Sequence, residues 1–266
     1  MFHVPTMSIE SQSPHVILNS LMSENNIDDH LITIDGVSGS GKTTMGHELA
    51  LLLNGSFFDT SVFYRTTAAI LADASGENLY PPDLISLGIE VAEIVAAQFT
   101  PQMFNTNSGD DGVLGLFDDQ PVTEEWIRSP EHSQHLSLVA SIPEIRSVLT
   151  QAIRDFVAWR LDQHQDSLII AAGRDCGTAI WPNAKVKLYI DCPLEIRNAR
   201  RKIQFANVVD DLAARDHADV SRPVGALRPA SGAILLDSSR TTPFELAIQA
   251  VERIRAQSEP HELLAS

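Results

Sequence analysis

The chain has 266 residues, of which 44% are hydrophobic, and its formal net charge is −16. This length supports a sizeable core, and no apolar run reaches the ~18 residues that a membrane-spanning helix needs. The negative charge argues against broad binding to nucleic acid or to anionic membranes, because both need basic patches.

Residues 1–30 are polar, lack lysine and arginine and show no sustained periodicity. We predict a flexible tail here, with one short helical turn at 16–22. The first lysine or arginine is Lys42, so the N-terminus lacks the basic region of a secretory signal and the arginines of a transit peptide. Cys176 and Cys192 form no CxxC motif. Two cysteines in a chain of this length are typical of proteins from a reducing compartment, with a single disulfide bridge between them as the alternative. We therefore expect a cytoplasmic protein.

A phosphate-binding loop is the next feature of the chain. A short apolar run at 31–35 leads into a turn of the form G-x-x-x-x-G-K-T, and a helical pattern then runs to an Asn54-Gly55 stop. Such a turn directs backbone N–H groups at phosphate oxygens, and the helix dipole favours the same negative charge. We expect Lys42 to project into a solvent-filled loop and reach the phosphates, and the Thr43 hydroxyl to ligate Mg²⁺. The predicted ATP site comprises Gly36, Val37, Ser38, Gly39, Ser40, Gly41, Lys42, Thr43 and Thr44.

Strand and helix patterns alternate through the rest of the chain, and the strands 168–172 and 186–190 are continuously apolar, as in buried parallel sheets. The predicted elements are a strand at 56–58, helices at 61–74 and 82–98, a hairpin insert at 99–123, a helix at 145–164, strands at 168–172, 186–190 and 233–236, and a helix at 244–255. The predicted fold is an α/β core at 31–258 with a phosphate-binding loop and a parallel sheet. It carries an insert near 75–140, an arginine-rich segment near 195–228 and a C-terminal tail at 259–266.

Six blocks beyond the phosphate-binding loop combine arginine, aspartate and small residues. They are Asp59-Thr-Ser-Val-Phe-Tyr-Arg65, the V-T-x-x-x-I-R stretch at 122–128, Ser137-Leu-Val-Ala-Ser-Ile-Pro-Glu-Ile-Arg146, Gly173-Arg-Asp-Cys-Gly-Thr178, Arg215-Asp-His-Ala-Asp-Val-Ser-Arg222 and Asp237-Ser238. In this order they resemble the motifs of bacterial-type cytidylate kinases over about residues 31–256. The resemblance implies an α/β P-loop kinase for nucleoside monophosphates. In such a kinase the insert near 75–140 would be NMP-binding, and the arginine-rich segment near 195–228 would be the lid.

The resemblance also implies an acceptor site. It places Arg65, Arg174 and Arg222 at the acceptor phosphate, with Thr60 and Tyr64 beside them. Phosphoryl transfer needs positive charge around both nucleotides, so Arg174 and Arg222 join Lys42 as expected catalytic residues.

The base and the sugar have their own expected partners. The resemblance places Ser137, Arg146 and Asp175 at the cytosine edge. There a carboxylate accepts from the amino group and an arginine donates to the ring acceptors. Arg215 and Asp219 would hold the sugar hydroxyls.

The cluster of Arg197, Arg200 and Arg201 has two interpretations from the residues alone. Its guanidinium groups suit a phosphate site, or they form a solvated helix face paired with nearby acids. The resemblance places all three in a mobile lid that closes over the donor phosphates.

Several positions depart from the motifs of the family. Val37 replaces a proline, Ser61 replaces a glycine, and Thr43 replaces a glycine while supplying the hydroxyl that suits Mg²⁺. Ala172 stands where an acidic residue is usual. We expect Asp35 to replace that carboxylate at the metal and Asp59 to be the second candidate, with the alternative that Asp35 only binds loop amides.

The expected reaction converts ATP and CMP or dCMP into ADP and CDP or dCDP, with Mg²⁺. Two alternatives remain open: a kinase for another small phosphate acceptor such as a modified pyrimidine nucleotide, and a regulatory nucleotide-binding protein without turnover. The expected partners are small nucleotides, without nucleic acid or membrane, and we expect a monomer. His132 and His135 are expected on a helix surface rather than at a metal.

Overall fold

The computed structural model describes residues 26–75, 81–103, 113–164, 168–204 and 212–258, so the helical turn predicted at 16–22 lies outside the described residues. The strands are β1 (Leu31–Gly36), β2 (Ser56–Asp59), β3 (Phe99–Pro101), β4 (Val113–Phe117), β5 (Gln120–Thr123), β6 (Ile169–Ala172), β7 (Val186–Asp191) and β8 (Ile234–Asp237). The helices are α1 (Lys42–Leu53), α2 (Ser61–Ser75), α3 (Pro81–Gln98), α4 (Glu124–Arg128), α5 (Pro130–Ser133), α6 (Leu136–Ser141), α7 (Pro143–His164), α8 (Leu194–Gln204), α9 (Leu212–Ser221) and α10 (Pro243–Ser258).

A parallel sheet of five strands forms the centre, in the order β2-β6-β1-β7-β8. Every residue of β1 and β6 is buried, because helices cover both faces of the sheet. One core cluster packs α2, α3 and α7 on one face, and a second packs α1 and α10 on the other. The predicted α/β fold with a parallel sheet is confirmed.

The predicted hairpin insert is a three-stranded antiparallel sheet in the order β3-β4-β5. Asp118 and Asp119 connect β4 to β5 with φ values of 49° and 60°. Positive φ at both turn residues matches the right-handed twist of a hairpin. The short helices that follow have side-chain caps, since Thr123 accepts from the Trp126 amide and Ser129 from the His132 amide.

The first helix ends where the sequence predicted. Asn54 has a φ of 52°, and its N–H donates to carbonyls of the last turn of α1. Asparagine tolerates this left-handed conformation better than most residues, which makes it an effective helix stop. The turn brings the chain directly into β2.

Two expectations outside the sheet differ from the structure. The predicted flexible tail at 1–30 is wrong only for its last residues, where Ile27–His30 form a 3₁₀ turn and the buried Asp29 pairs with Lys185 at 3.0 Å. His132 is buried rather than on a helix surface, because its ring bonds the Trp126 carbonyl at 2.7 Å and Asp73 at 2.9 Å. Across the described ranges, no helix is long and apolar enough to cross a membrane.

Candidate active site

A cavity of about 690 Å³ opens at the carboxyl ends of the parallel strands. Ligands of open α/β sheets bind at this edge, because the loops that leave the strands converge there. Among the described residues, the cationic side chains that line it are Lys42, Arg65, Arg128, Arg146, Arg174, Arg200, Arg201, Arg215 and Arg222. The acidic ones are Asp59, Glu124, Asp175 and Asp219. A strongly acidic protein therefore concentrates positive charge in this cavity.

The phosphate-binding loop forms one end of the cavity. Gly39 and Gly41 have φ values of 74° and 90°, which glycine adopts without steric cost. Residues 38–44 line the cavity, whereas Gly36 and Val37 do not. Because α1 begins at Lys42, its unpaired N-terminal amides and its dipole lie at this end.

Lys42 does not project into a solvent-filled loop. Its side chain is buried, and its ammonium donates to the Gly36 and Val37 carbonyls at 2.8 and 2.7 Å. Burial, with Arg174 as the next cause, lowers the pKa of Lys42 well below its usual value. The carbonyls of the tight loop point inward, so the lysine folds back onto them.

Arg174, Asp219 and Arg222 form a charged group in the cavity. Asp219 pairs with Arg174 at 2.7 Å and with Arg222 at 3.2 Å. Arg174 also donates to the Gly36 carbonyl at 3.2 Å, which connects this group to the phosphate-binding loop. The structure thus brings together residues predicted for the acceptor phosphate and for the sugar. Arg215 lines the same cavity.

Arg65 lies in the cavity wall on α2, and its guanidinium is buried. Burial, followed by the nearby charge of Arg128, lowers the pKa of Arg65 to about 9. Arg128 and its partner Glu124, at 2.6 Å, line the cavity but were not predicted as site residues. The sequence feature that could have identified Arg128 as a site residue is its position at the end of the V-T-x-x-x-I-R block.

The residues predicted for the base form a buried pair. Arg146 bonds Asp175, donates to the Ala140 carbonyl at 3.2 Å and lies 5.3 Å from the centre of the Tyr64 ring. Burial raises the pKa of Asp175, while Arg146 opposes this rise. Ser137 is exposed and lines the cavity as well. The three predicted base contacts therefore share one cavity.

Thr60 joins β2 to β6 at the edge of the cavity. Its hydroxyl donates to the Ala172 carbonyl at 3.0 Å, and its amide donates to the same carbonyl at 2.9 Å. Thr60 lines the cavity, so its side chain forms part of the cavity wall.

The predicted lid region contains α8 and α9, and its arginines differ in position. Arg200 and Arg201 line the cavity, and Arg200 also donates to the Ser238 hydroxyl at 3.3 Å. Arg197 does not line it: its buried guanidinium donates to the Ser38 carbonyl at 3.0 Å and pairs with Asp216 at 2.6 Å. Because Arg197 sits on the inner side of α8, it supports the phosphate-binding loop from behind.

Asp35 faces away from the cavity. Its two carboxylate oxygens accept from the Cys176 and Gly177 amides, both at 2.8 Å. Side chains alternate along a strand, so Asp35 lies on the face of β1 opposite to Ile34, which packs with α1. The expectation that Asp35 faces the metal is not met. The structure instead agrees with the alternative, in which the Asp35 carboxylate binds loop amides.

Asp59 is the second candidate for the carboxylate that Asp35 was expected to supply. It lines the cavity and is the register partner of Ala172 on the neighbouring strand. Among the described residues, the structure gives Asp59 no ion-pair partner, and one of its oxygens accepts from the Ser61 amide at 2.9 Å. No three acidic, histidine or cysteine side chains of these residues form a metal cluster. Asp59 and the exposed Thr43 line the same cavity, and their oxygen atoms are donors that suit Mg²⁺, which keeps waters and binds substrate phosphates.

Comparison with known proteins agrees with this geometry. The model of the family described as cytidylate kinase matches residues 32–256. The cytidylate kinase of Actinobacillus succinogenes is 34% identical over 239 residues, which cover 86% of this chain and 99% of that protein. The cytidylate kinase of Pasteurella multocida is 34% identical over 234 residues, with coverage of 85% and 95%. This chain belongs to the cytidylate kinase family.

Every residue that lines the cavity falls within the part of the chain matched to the cytidylate kinase family. The similarity therefore extends over both the phosphate-binding loop and the arginine-rich wall opposite to it. Ala172 lies within this range, at the end of β6, where Asp59 provides the adjacent carboxylate.

Proposed function

We propose that this protein transfers the γ-phosphoryl group of ATP to CMP or dCMP, giving ADP and CDP or dCDP. The observation that carries the proposal is one cavity that joins a phosphate-binding loop to a second group of arginines and to the Arg146–Asp175 pair. The first feature suits a triphosphate, the second suits a monophosphate, and the pair suits a base with an amino group beside acceptors. Membership of the family supports the same reaction.

The donor is held by the phosphate-binding loop. Backbone amides at the start of α1 bind its phosphate oxygens, and Lys42 exchanges its two carbonyl partners for the β- and γ-phosphates. Thr43 and Asp59 would hold Mg²⁺, which supplies charge neutralisation at the transferred phosphoryl group when bound. Arg200 and Arg201 add positive charge on the same side.

The acceptor phosphate is held by Arg65, Arg174 and Arg222. In the reaction an oxygen of the CMP phosphate forms a bond to the γ-phosphorus, and the bond from that phosphorus to the bridging oxygen breaks, which releases ADP. Enzymes accelerate this step by positioning both phosphates in line and by stabilising the charge on the transferred group. Arg65 is buried and Arg174 and Arg222 are half-buried, and their guanidinium groups supply positive charge for both needs.

The base is read by the Arg146–Asp175 pair with Ser137. Asp175 accepts from the cytosine amino group, and Arg146 donates to the ring nitrogen or the carbonyl. Uracil presents a carbonyl in place of the amino group, so it faces the Asp175 carboxylate without a donor. This arrangement favours CMP over UMP.

The proposal is tested by a coupled ADP-release assay with ATP, Mg²⁺ and each ribo- and deoxyribonucleoside monophosphate. CMP and dCMP should give the highest kcat/KM. Asp175→Asn should raise the KM for CMP and reduce the preference over UMP, since the amide presents a donor to the amino group. Equal efficiency with CMP, UMP and AMP would contradict the proposed base contacts. ATP binding without phosphorylation of any monophosphate would contradict the kinase activity.

We also propose that the protein acts as a cytoplasmic monomer on free nucleotides. The support is a cavity whose donor and acceptor sides both come from one chain. Sedimentation of the full chain with and without ATP measures the oligomeric state, and a dimer would contradict this part.

A further inference from the structure

The chain after α9 lies directly against the Arg146–Asp175 pair at Gly225. This glycine has a φ of 65°, and a Cβ at this position would collide with Nη2 of Arg146 and Oδ2 of Asp175. Both contacts are with the ion pair itself rather than with flexible surface atoms. Any side chain at position 225 must therefore displace the pair or the backbone.

One contact on each side of Gly225 holds this segment in place. Arg222 pairs with Asp219 at 3.2 Å, and the Leu227 amide donates to the Asp219 carbonyl at 2.8 Å. Leu227 is buried. With both flanks anchored to Asp219, the backbone at 225 has little freedom to move away from the pair.

The ion pair is confined on its other sides. The side chains of Arg146 and Asp175 are 3% and 5% exposed. Arg146 is held by the Ala140 carbonyl and the Tyr64 ring. Both members of the pair still line the cavity, and the Gly225 backbone packs against them. The orientation of both charged groups thus depends on the absence of a side chain at 225.

We propose that Gly225 is a positioning residue for base recognition, which holds the Arg146–Asp175 pair in the orientation that distinguishes cytosine from uracil. The inference rests on the proposed function. Hydrogen bonds to a base discriminate only when donor and acceptor are aligned, and one good bidentate contact is worth about 1–3 kcal/mol. A methyl group at 225 moves the pair out of alignment.

The test compares Gly225→Ala with Gly232→Ala in the full chain. Gly232 has a φ of 74°, and a Cβ there meets no atom within 4 Å. Both substitutions place alanine in the left-handed region, so they share the backbone strain, and only the first adds the collision. The measurements are kcat and KM for CMP and UMP, and ATP binding.

Gly225→Ala should lower the preference for CMP over UMP on the order of tenfold, mainly through the KM for CMP. ATP affinity should stay unchanged, because the phosphate-binding loop lies at the other end of the cavity. Gly232→Ala should keep the preference. A folded Gly225→Ala variant with the same preference as Gly232→Ala would overturn the inference.

A double-mutant cycle keeps the inference testable if Gly225→Ala folds poorly. Arg146→Ala removes the guanidinium that the new methyl group meets, so the two substitutions should be less destabilising together than their separate effects predict. Gly232→Ala with Arg146→Ala should be additive. If the destabilising effects of Gly225→Ala and Arg146→Ala are additive, the inferred collision between a side chain at 225 and Arg146 is wrong. Absence of any CMP preference in the unmodified protein, with coupling still present, would instead contradict the proposed function.

Discussion

Lys42 begins α1 and binds the loop carbonyls from a buried position. We predict that Lys42→Ala lowers turnover at least about 10³-fold, because the transferred phosphoryl group loses a close cation. The fold should persist, since the substitution removes a buried charge whose pKa is lowered by burial, with nearby Arg174 as the next cause. Steady-state kinetics and the thermal shift on adding ATP measure both effects. Lys202→Ala, at an exposed position of α8, is the control; near-normal turnover of Lys42→Ala would contradict the assigned role.

Asp35 makes stability depend on pH. Burial raises its pKa from 3.8 to about 6, although the Gly177 and Cys176 amides oppose this rise. The folded protein therefore holds the proton more tightly than the unfolded chain, and the stabilisation present below about pH 4 is lost as the pH rises through about 6. Relative to Asp35→Asn, the unmodified protein should lose about 3 kcal/mol of unfolding free energy over this window.

Denaturant unfolding at several pH values measures this difference. Asp155→Asn, at an exposed position of α7, provides the control and should leave the pH dependence unchanged. Parallel curves for the unmodified protein and Asp35→Asn would show that Asp35 has the same proton affinity in both states.

Ala172 and Asp59 lie opposite each other at the ends of β6 and β2. We predict that Asp59→Asn lowers turnover roughly 10–100-fold, because it removes the cavity carboxylate that we propose holds Mg²⁺ with Thr43. Ala172→Asp should raise the turnover of the unmodified protein and reduce the loss caused by Asp59→Asn. The half-saturating Mg²⁺ concentration for ATP binding, measured by titration, gives a readout besides activity. If Asp59→Asn changes neither quantity, another group fills this role.

At the scale of elements, α1 packs closely against β2. A Cβ at Gly46 would collide with the ring of Phe57, which belongs to the core cluster that packs α1 and α10 against the sheet. We predict that Gly46→Ala lowers the unfolding free energy by about 1–3 kcal/mol, because overpacking moves the helix or the ring. Leu51→Ala, at an exposed position of the same helix, should change stability far less. Equal stability of Gly46→Ala and the unmodified protein would show that the interface adapts.

The molecule as a whole has a net charge of −16, whereas most of the charged side chains among the described residues that line its cavity are cationic. Exposed charge is screened over about 8 Å at physiological ionic strength, and over less as salt is added. We predict that raising KCl from about 0.05 to about 0.5 M increases the KM for CMP several-fold, because attraction between the arginines and the phosphate weakens. Kinetics at constant pH and Mg²⁺ check this, and a KM independent of salt would contradict it.

Local patterns made the elements predictable. The Asn54 stop, the long helix that begins near Pro143 and the apolar strands β6 and β7 all depend on residues close in sequence. The directions of individual side chains were less predictable: Lys42 turns back onto the loop, and Arg197 points behind it. These directions depend on which carbonyls and carboxylates the rest of the chain brings nearby.

The sequence by itself determined the phosphate-binding loop and the alternation of strands and helices, because loop chemistry and hydrophobic periodicity are encoded by neighbouring residues. Only the tertiary structure decided which distant residues meet. The strand order places β6 between β1 and β2, so Asp59 lies beside Ala172 while Asp35 turns to the opposite face. The close approach of Gly225 to Arg146 and Asp175 likewise arises from packing between segments far apart in the chain, which no local pattern encodes.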